Sequence, residues 1–150
     1  MSEKVLIYTD GSCLGNPGTG GWAALLMRGQ HEKLISGSAL NTTNNRMELQ
    51  AAVEGLRALK RATKVEVWTD SQYVRRGITE WIQNWVKNQW KNASKKTVKN
   101  ADLWQQLLEV TQKHQISWHW VKGHSGDAHN ERVDQAAREA AEALDKTGTE

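Results

Sequence analysis

Apolar and polar positions follow two different periods along this chain. Val5, Leu6, Ile7 and Tyr8 form a short apolar run closed by Thr9 and Asp10, the pattern of a strand buried on both faces. The glycine-rich segment from Gly15 to Gly21 holds the sole proline, Pro17, and reads as a hairpin turn. Trp22 to Met27 predicts a second strand, Arg28 to Gln30 a turn, and Lys33 to Ala39 a third strand, so the first three strands form an antiparallel meander. The period then becomes helical: Leu49, Ala52, Val53, Leu56 and Leu59 share one face, behind the N-cap side chains of Thr43, Asn44 and Asn45. Val65 to Thr69 predicts a buried fourth strand. Short helices follow through a tryptophan-rich region, then a longer helix from about Ala101 to Lys113, a fifth strand over Ile116 to Val121, and an alanine-rich helix over His129 to Leu144 that frays near Gly148. A meander followed by helix, strand, helix, strand and helix predicts an α/β fold, a five-stranded mixed sheet with helices on both faces.

At 150 residues the chain is expected to form one domain, 1–150. No apolar run is long enough to span a bilayer, and the stretch after the polar start Met1 to Lys4 is too short for a secretory signal, so the expected location is cytoplasmic, with no membrane contact. Cys13 is the only cysteine; it has no disulfide partner in the chain and no second ligand at zinc spacing. The formal net charge is only +3, but the isoelectric point near 9.1 and the uneven charge distribution point to an anionic partner. From Arg75 to Asn100, the cations Arg75, Arg76, Lys87, Lys91, Lys95, Lys96 and Lys99 meet a single acid, Glu80.

Four acids occupy positions unlike those of solvated surface charges. Asp10 and Asp70 each close an apolar strand with the same Thr-Asp pair. If the two strands are parallel neighbours, their carboxyl ends meet at the edge where open α/β sheets place ligands. Glu48 shares a helical face with Ala52, Gly55, Leu56 and Leu59, so its carboxylate points toward the sheet, and Asp134 shares a face with the small residues Ala137 and Ala141. Clustered carboxylates repel and lose hydration, and a fold tolerates them where a cation neutralises them. A hard divalent ion such as Mg²⁺, held by a few carboxylates together with water and substrate phosphate, fits that donor set.

The segments TDGSCLGNPG, NNRMEL, TDSQYV and WVKGHSG, followed by NERVDQAA, resemble the bacterial type 1 ribonuclease H family, in the same order and over nearly the whole chain, from about Val5 to Ala143. The resemblance implies a ribonuclease H-like fold. It also implies an endonuclease that hydrolyses the RNA strand of an RNA–DNA hybrid by a two-metal mechanism, leaving 5′-phosphate and 3′-hydroxyl ends, with Mg²⁺ as cofactor and Mn²⁺ as a substitute. Asp10, Glu48, Asp70 and Asp134 match the metal-binding catalytic acids, with Asp10 bridging both ions. His124, between Gly123 and Gly126, matches a mobile-loop histidine that assists proton movement or product release.

For the substrate, the resemblance places Gly11 and Cys13 beside the RNA strand and directs Asn16, Asn44, Asn45 and Gln72 to the minor groove, where amides read 2′-hydroxyls. Thr43 and Asn100 match a grip on a DNA phosphate; Asn41 stands where many relatives carry a basic residue. The segment at about 80–100 resembles a basic helical protrusion, whose Lys87, Lys91, Lys95 and Lys96 would bind phosphates. Trp81, Trp85 and Trp90 are spaced to pack on one another, with Trp81 also near DNA sugars, while Trp104, Trp118 and Trp120 belong to the core and its rim. His31, His114, His119 and His129 receive no role. The chain is expected to act as a monomer. A resolvase or integrase of similar fold would share the carboxylates but not NNRMEL, TDSQYV and the histidine loop together. A binding module without catalysis would lack one of the four acids.

Overall fold

The computed structural model describes residues 4–121 and 128–148. Five strands, β1 (Val5–Leu14), β2 (Gly18–Arg28), β3 (His31–Thr42), β4 (Lys64–Thr69) and β5 (Gln115–Trp120), form one sheet in the order β3-β2-β1-β4-β5. β1, β2 and β3 are an antiparallel meander, whereas β4 runs parallel to both β1 and β5. The mixed sheet and its antiparallel half are those expected from the sequence.

Each parallel pair needs a crossover, and the crossover helices cover one face. These are α1 (Asn44–Arg57), between β3 and β4, then α2 (Gln72–Arg76), a π-helical turn (Gly77–Trp81), α3 (Ile82–Lys87) and α4 (Ala101–Thr111), all before β5. Val5 and Ile7 of β1, Ala24 and Leu26 of β2 and Val65 and Val67 of β4 meet Leu49, Val53 and Leu56 of α1 and Trp104 and Leu107 of α4 on that face. The last helix, α5 (Ala128–Gly148), lies across β1, β2 and β3 on the other face, where Tyr8, Ala23 and Leu25 pack on Val133 and Ala137. α5 comes close because Gly21 has no side chain: a Cβ there would collide with the main chain of α5 at Ala137 and Ala141.

The first three strands are longer than alternation predicts. β1 continues from Gly11 to Leu14 because that stretch pairs with Thr19 to Trp22, so ladder hydrogen bonds to a neighbour carry it past its apolar residues. The hairpin turn shrinks accordingly to Gly15, Asn16 and Pro17. The basic protrusion is helical only as far as Lys87. Gln89 and Trp90 take left-handed φ angles of 57° and 63° that end the helix, and the following turns close through an isolated bridge between Lys91 and Thr97. Trp85 lies 5.8 Å from Trp81, 6.1 Å from Trp90 and 5.3 Å from Trp104 between ring centroids, so the tryptophans anchor the protrusion to the core.

Candidate active site

Thr9 of β1 and Thr69 of β4 are partners in a parallel pair, so the acid that follows each lies at the same level of the sheet. Asp10 is therefore inside β1, still paired with Ala23, while Asp70 is the first residue beyond β4. Glu48 comes from the second turn of α1, whose start is fixed by Thr43: its hydroxyl oxygen accepts from Arg46 N at 3.2 Å. The helix can lie directly on β1 because Gly11 leaves room; a Cβ there would strike the backbone of Met47 and Glu48. As a result, Asp10, Glu48 and Asp70 each bring a carboxylate oxygen to within 4.8 Å of the other two.

Burial dominates the electrostatics of this triad. Asp10 is only 4% exposed and Glu48 6%. Desolvation, with the adjacent Asp70 and Asp134 carboxylates adding to it, pushes Asp10 up to about 8. Burial pushes Glu48 well above its ordinary value too, and the charges of Asp10 and Asp70 act in the same direction. Asp70 is raised mainly by burial, against hydrogen bonds from its surroundings, the foremost from Asn130. Among the described residues no lysine or arginine forms an ion pair with any of the three. Oε1 of Glu48 is buried and has no hydrogen-bond partner among the described residues. A buried anionic oxygen left in this condition is unfavourable by several kcal/mol unless a cation reaches it. Three oxygen donors, the innermost unpartnered, suit a hard divalent ion.

Asp134 lies at the edge of the triad, within hydrogen-bonding reach of Asp10. It is half-exposed on α5, paired with Arg138 Nε at 3.4 Å, and its carboxylate adjoins those of Asp10 and Asp70 closely enough to raise both. The structure thus brings three of the four predicted acids into one tight group, with the fourth at its rim. His124 lies outside the described residues.

The predicted substrate residues fall into three groups. Gly11, Cys13, Asn16, Asn44 and Asn45 surround the junction of the β1–β2 hairpin and the start of α1. Gly11 is buried there, Cys13 Sγ donates to Thr42 O at 3.4 Å, and the Asn16 side-chain oxygen accepts from Asn44 N at 3.2 Å. Asn44, Asn45 and Gln72 are exposed, the first two in the opening turn of α1 before Glu48 and the third two residues after Asp70. Thr43 and Asn100 form the second group with half-buried Trp81. Asn100, left-handed at φ 62°, accepts from Arg46 Nη1 at 3.1 Å and donates to the Tyr73 hydroxyl at 3.0 Å. Lys87, Lys91, Lys95 and Lys96 are the third group, all exposed on the protrusion.

Two residues of evident structural weight in the site escape a reading of the sequence. Asn130 is 5% exposed and supplies a hydrogen bond to Asp70; its place one helical turn before Asp134 was the available signal. Arg46 clamps Asp102 through two hydrogen bonds, at 3.0 and 2.7 Å, while holding Asn100. Nothing local to Arg46 marks a partner 56 residues away.

The RNase H family model matches residues 2–142 of this chain. A protein of Hahella chejuensis named Ribonuclease H is 60% identical over 147 residues, 97% of this chain and 99% of that protein. A Ribonuclease H from Hydrogenovibrio crunogenus is 60% identical over 142 residues, 95% of this chain and 98% of that one. Among solved structures, LC9-RNase H1, described as a type 1 RNase H with the type 2 active-site motif, matches with a TM-score of 0.86 and 32% identity, covering 95% of this chain and 74% of its own. LC11-RNase H1, solved in complex with an RNA/DNA hybrid, shares the fold at a TM-score of 0.69 and 22% identity, covering 93% of this chain and 98% of its own.

Proposed function

The chain belongs to the RNase H family, and from that premise we propose that it is an endonuclease cutting the RNA strand of RNA–DNA hybrids with the help of divalent ions. The observation that carries this reading is the triad of buried Asp10 and Glu48 with half-buried Asp70, in which one Glu48 oxygen has no hydrogen-bond partner among the described residues. In this reading Asp10, Glu48, Asp70 and Asp134 hold Mg²⁺, two ions when substrate is present, and Mn²⁺ can replace it. Bound there, the metal would acidify the attacking water and stabilise the leaving 3′-oxygen, leaving 5′-phosphate and 3′-hydroxyl ends.

The protein's own contribution is position and charge. Gly11 and the α1 cap set Glu48 against β1, the parallel register sets Asp70 beside Asp10, and Asn130 orients the Asp70 carboxylate. His124 is assigned the part of a proton carrier. Asn16, Asn44, Asn45 and Gln72, with Gly11 and Cys13, are assigned to the RNA strand. Thr43, Asn100 and Trp81 go to the DNA strand, and Lys87, Lys91, Lys95 and Lys96 to more distant phosphates. A hollow of about 460 Å³ lined by Val5, Leu26, Lys60 and Arg61 lies at the far end of the sheet, away from the carboxylates, and has no part in this reading.

We read residues 1–150 as one domain acting as a cytoplasmic monomer. Among the described residues no helix is long and apolar enough to cross a membrane. The test is a gel assay on labelled RNA–DNA hybrid, double-stranded RNA and double-stranded DNA, with and without Mg²⁺. Metal-dependent cleavage confined to the RNA of the hybrid supports the reading, and cleavage of double-stranded DNA at a similar rate refutes it.

A further inference from the structure

The carboxylate cluster must admit a phosphodiester, itself an anion, so unpaired positive charge close to the triad has a task. The arginines around this end of the sheet are mostly engaged by acids. Arg46 is paired with Asp102, Arg76 with Glu80 at 2.9 Å, and Arg138 with Asp134. Arg75 differs. It is exposed on α2, five residues beyond Asp70, and among the described residues it forms no ion pair. Its guanidinium lies 5.1 Å from the ring centroid of Trp120, the last residue of β5. The indole N–H of Trp120 in turn donates to the main-chain oxygen of Asp70 at 3.3 Å.

One indole therefore touches both an unpaired arginine and the backbone of a triad acid. Trp120 is 38% exposed, one of the few large apolar side chains left open among the described residues. A guanidinium lying against an aromatic face is restrained in orientation while the N–H groups on its edge remain available, the geometry suited to a phosphate. The cation–ring attraction also reduces the ordering cost when the anion arrives, because the long side chain is already partly held.

We infer that Arg75, held by Trp120, is a phosphate-binding residue on the β5 side of the carboxylate cluster, and that Trp120 is a positioning residue for both Arg75 and the Asp70 main chain. This rests on the nuclease reading, since the anion in question is a phosphate of the hybrid. It distinguishes Arg75, on α2 directly after Asp70, from the lysines of the protrusion, which begin at the end of α3.

The experiment is a double-mutant cycle on hybrid binding and turnover with Arg75→Ala, Trp120→Leu and the pair. Arg75→Ala should raise KM for hybrid about 3- to 10-fold, more than it lowers kcat, and reduce the log–log salt slope of binding by about 0.9, the share of a single neutralised phosphate. In the Trp120→Leu background the same change should raise KM less than 2-fold, because the arginine is no longer held. Trp120→Phe keeps the ring and removes the N–H; it should retain most of the Arg75 effect while weakening Mg²⁺ binding to the free protein, read by calorimetry, about 2- to 5-fold. An unchanged KM and salt slope in Arg75→Ala overturns the phosphate assignment. Full additivity of Arg75→Ala and Trp120→Leu overturns the positioning one. If the parent protein neither binds nor cleaves the hybrid, the nuclease reading itself has failed, an outcome distinct from both.

Discussion

Replacing Asp10 by Asn should make the metal-free protein more stable while abolishing cleavage. The carboxyl is buried, and burial together with Asp70 and Asp134 moves it from 3.8 up to about 8. A carboxyl whose folded value lies above its unfolded one binds protons more tightly in the native state. Its contribution to stability is then fully present below about pH 4 and is lost as the pH rises through about 8. At 1.36 kcal/mol per pH unit the loss approaches about 4 kcal/mol at pH 7. That figure is a ceiling, because Glu48 and Asp70 respond to the same proton. Asn keeps the shape, and its side-chain oxygen can still accept from Gly11 N, as Asp10 does at 2.9 Å. The expected net gain at pH 7 without metal is therefore about 1–3 kcal/mol, or roughly 3–10 °C in Tm for a domain of this size. The assay is thermal unfolding in EDTA from pH 4 to 9, repeated with Mg²⁺. The advantage of Asp10→Asn should vanish near pH 4, and Mg²⁺ should stabilise the parent far more than the variant. A variant less stable than the parent at pH 8 in EDTA, or a gain independent of pH, would refute the reasoning.

Other parts of the molecule allow sharper single tests. Neutralising Lys87, Lys91, Lys95 and Lys96 together should weaken hybrid binding and lower the salt slope by about 0.9 for each duplex phosphate that a lysine no longer neutralises; a slope equal to the parent's would show that they only solvate the protrusion. His124→Ala should lower kcat by about 10²-fold at most, the low end for a positioned acid–base group, with a smaller change in Mg²⁺ midpoint; a large loss of metal affinity by calorimetry would make it a ligand instead. Gly77→Ala should cost about 3 kcal/mol or more in urea unfolding, because a Cβ there would run into the rigid, fully buried ring of Trp104; a neutral result would show that the π-helical turn can move away from that ring.

The strands and helices whose burial follows one period were legible in the chain itself. β4 and α1 announce themselves through Val65, Val67, Leu49, Val53 and Leu56, all fully or almost fully buried. The ends of β1 and β3 were not, because Ser12, Cys13 and Thr42 are placed in strands by pairing with a neighbour rather than by their own preferences. The limit at Lys87 was hidden for a related reason. Gln89 and Trp90 are not residues that usually adopt positive φ, and the surrounding contacts impose it on them. Within the site, Thr-Asp at two strand ends pointed to Asp10 and Asp70, and the helical face pointed to Glu48. The half-exposed, Arg138-paired setting of Asp134 could not be read from its small neighbours, since a helix face says which side turns inward but not how deep a given turn lies.

The difference between Asp134 and the triad has a physical basis in the topology. Asp10 is fixed by strand pairing, Asp70 by the paired Thr69 before it and by the Trp120 indole that donates to its main-chain oxygen, and Glu48 by a helix resting on a bare glycine, so their placement is tied to the sheet and α1. Their mutual repulsion is held in place by the packing of Ile7, Leu49, Val53 and Val67 behind them. Asp134 comes from α5, which meets the sheet through Val133, Ala137 and Ala141, and its carboxylate is shared between Asp10 and Arg138. On the proposed metal reading, such a site would have three donors whose geometry is fixed before any ligand arrives and a fourth that would exchange a weak pair with Arg138, worth about 0–1 kcal/mol, for a cation. The rigid donors would then set where a metal sits, and the adjustable one would follow the charge and water around it as the substrate changes.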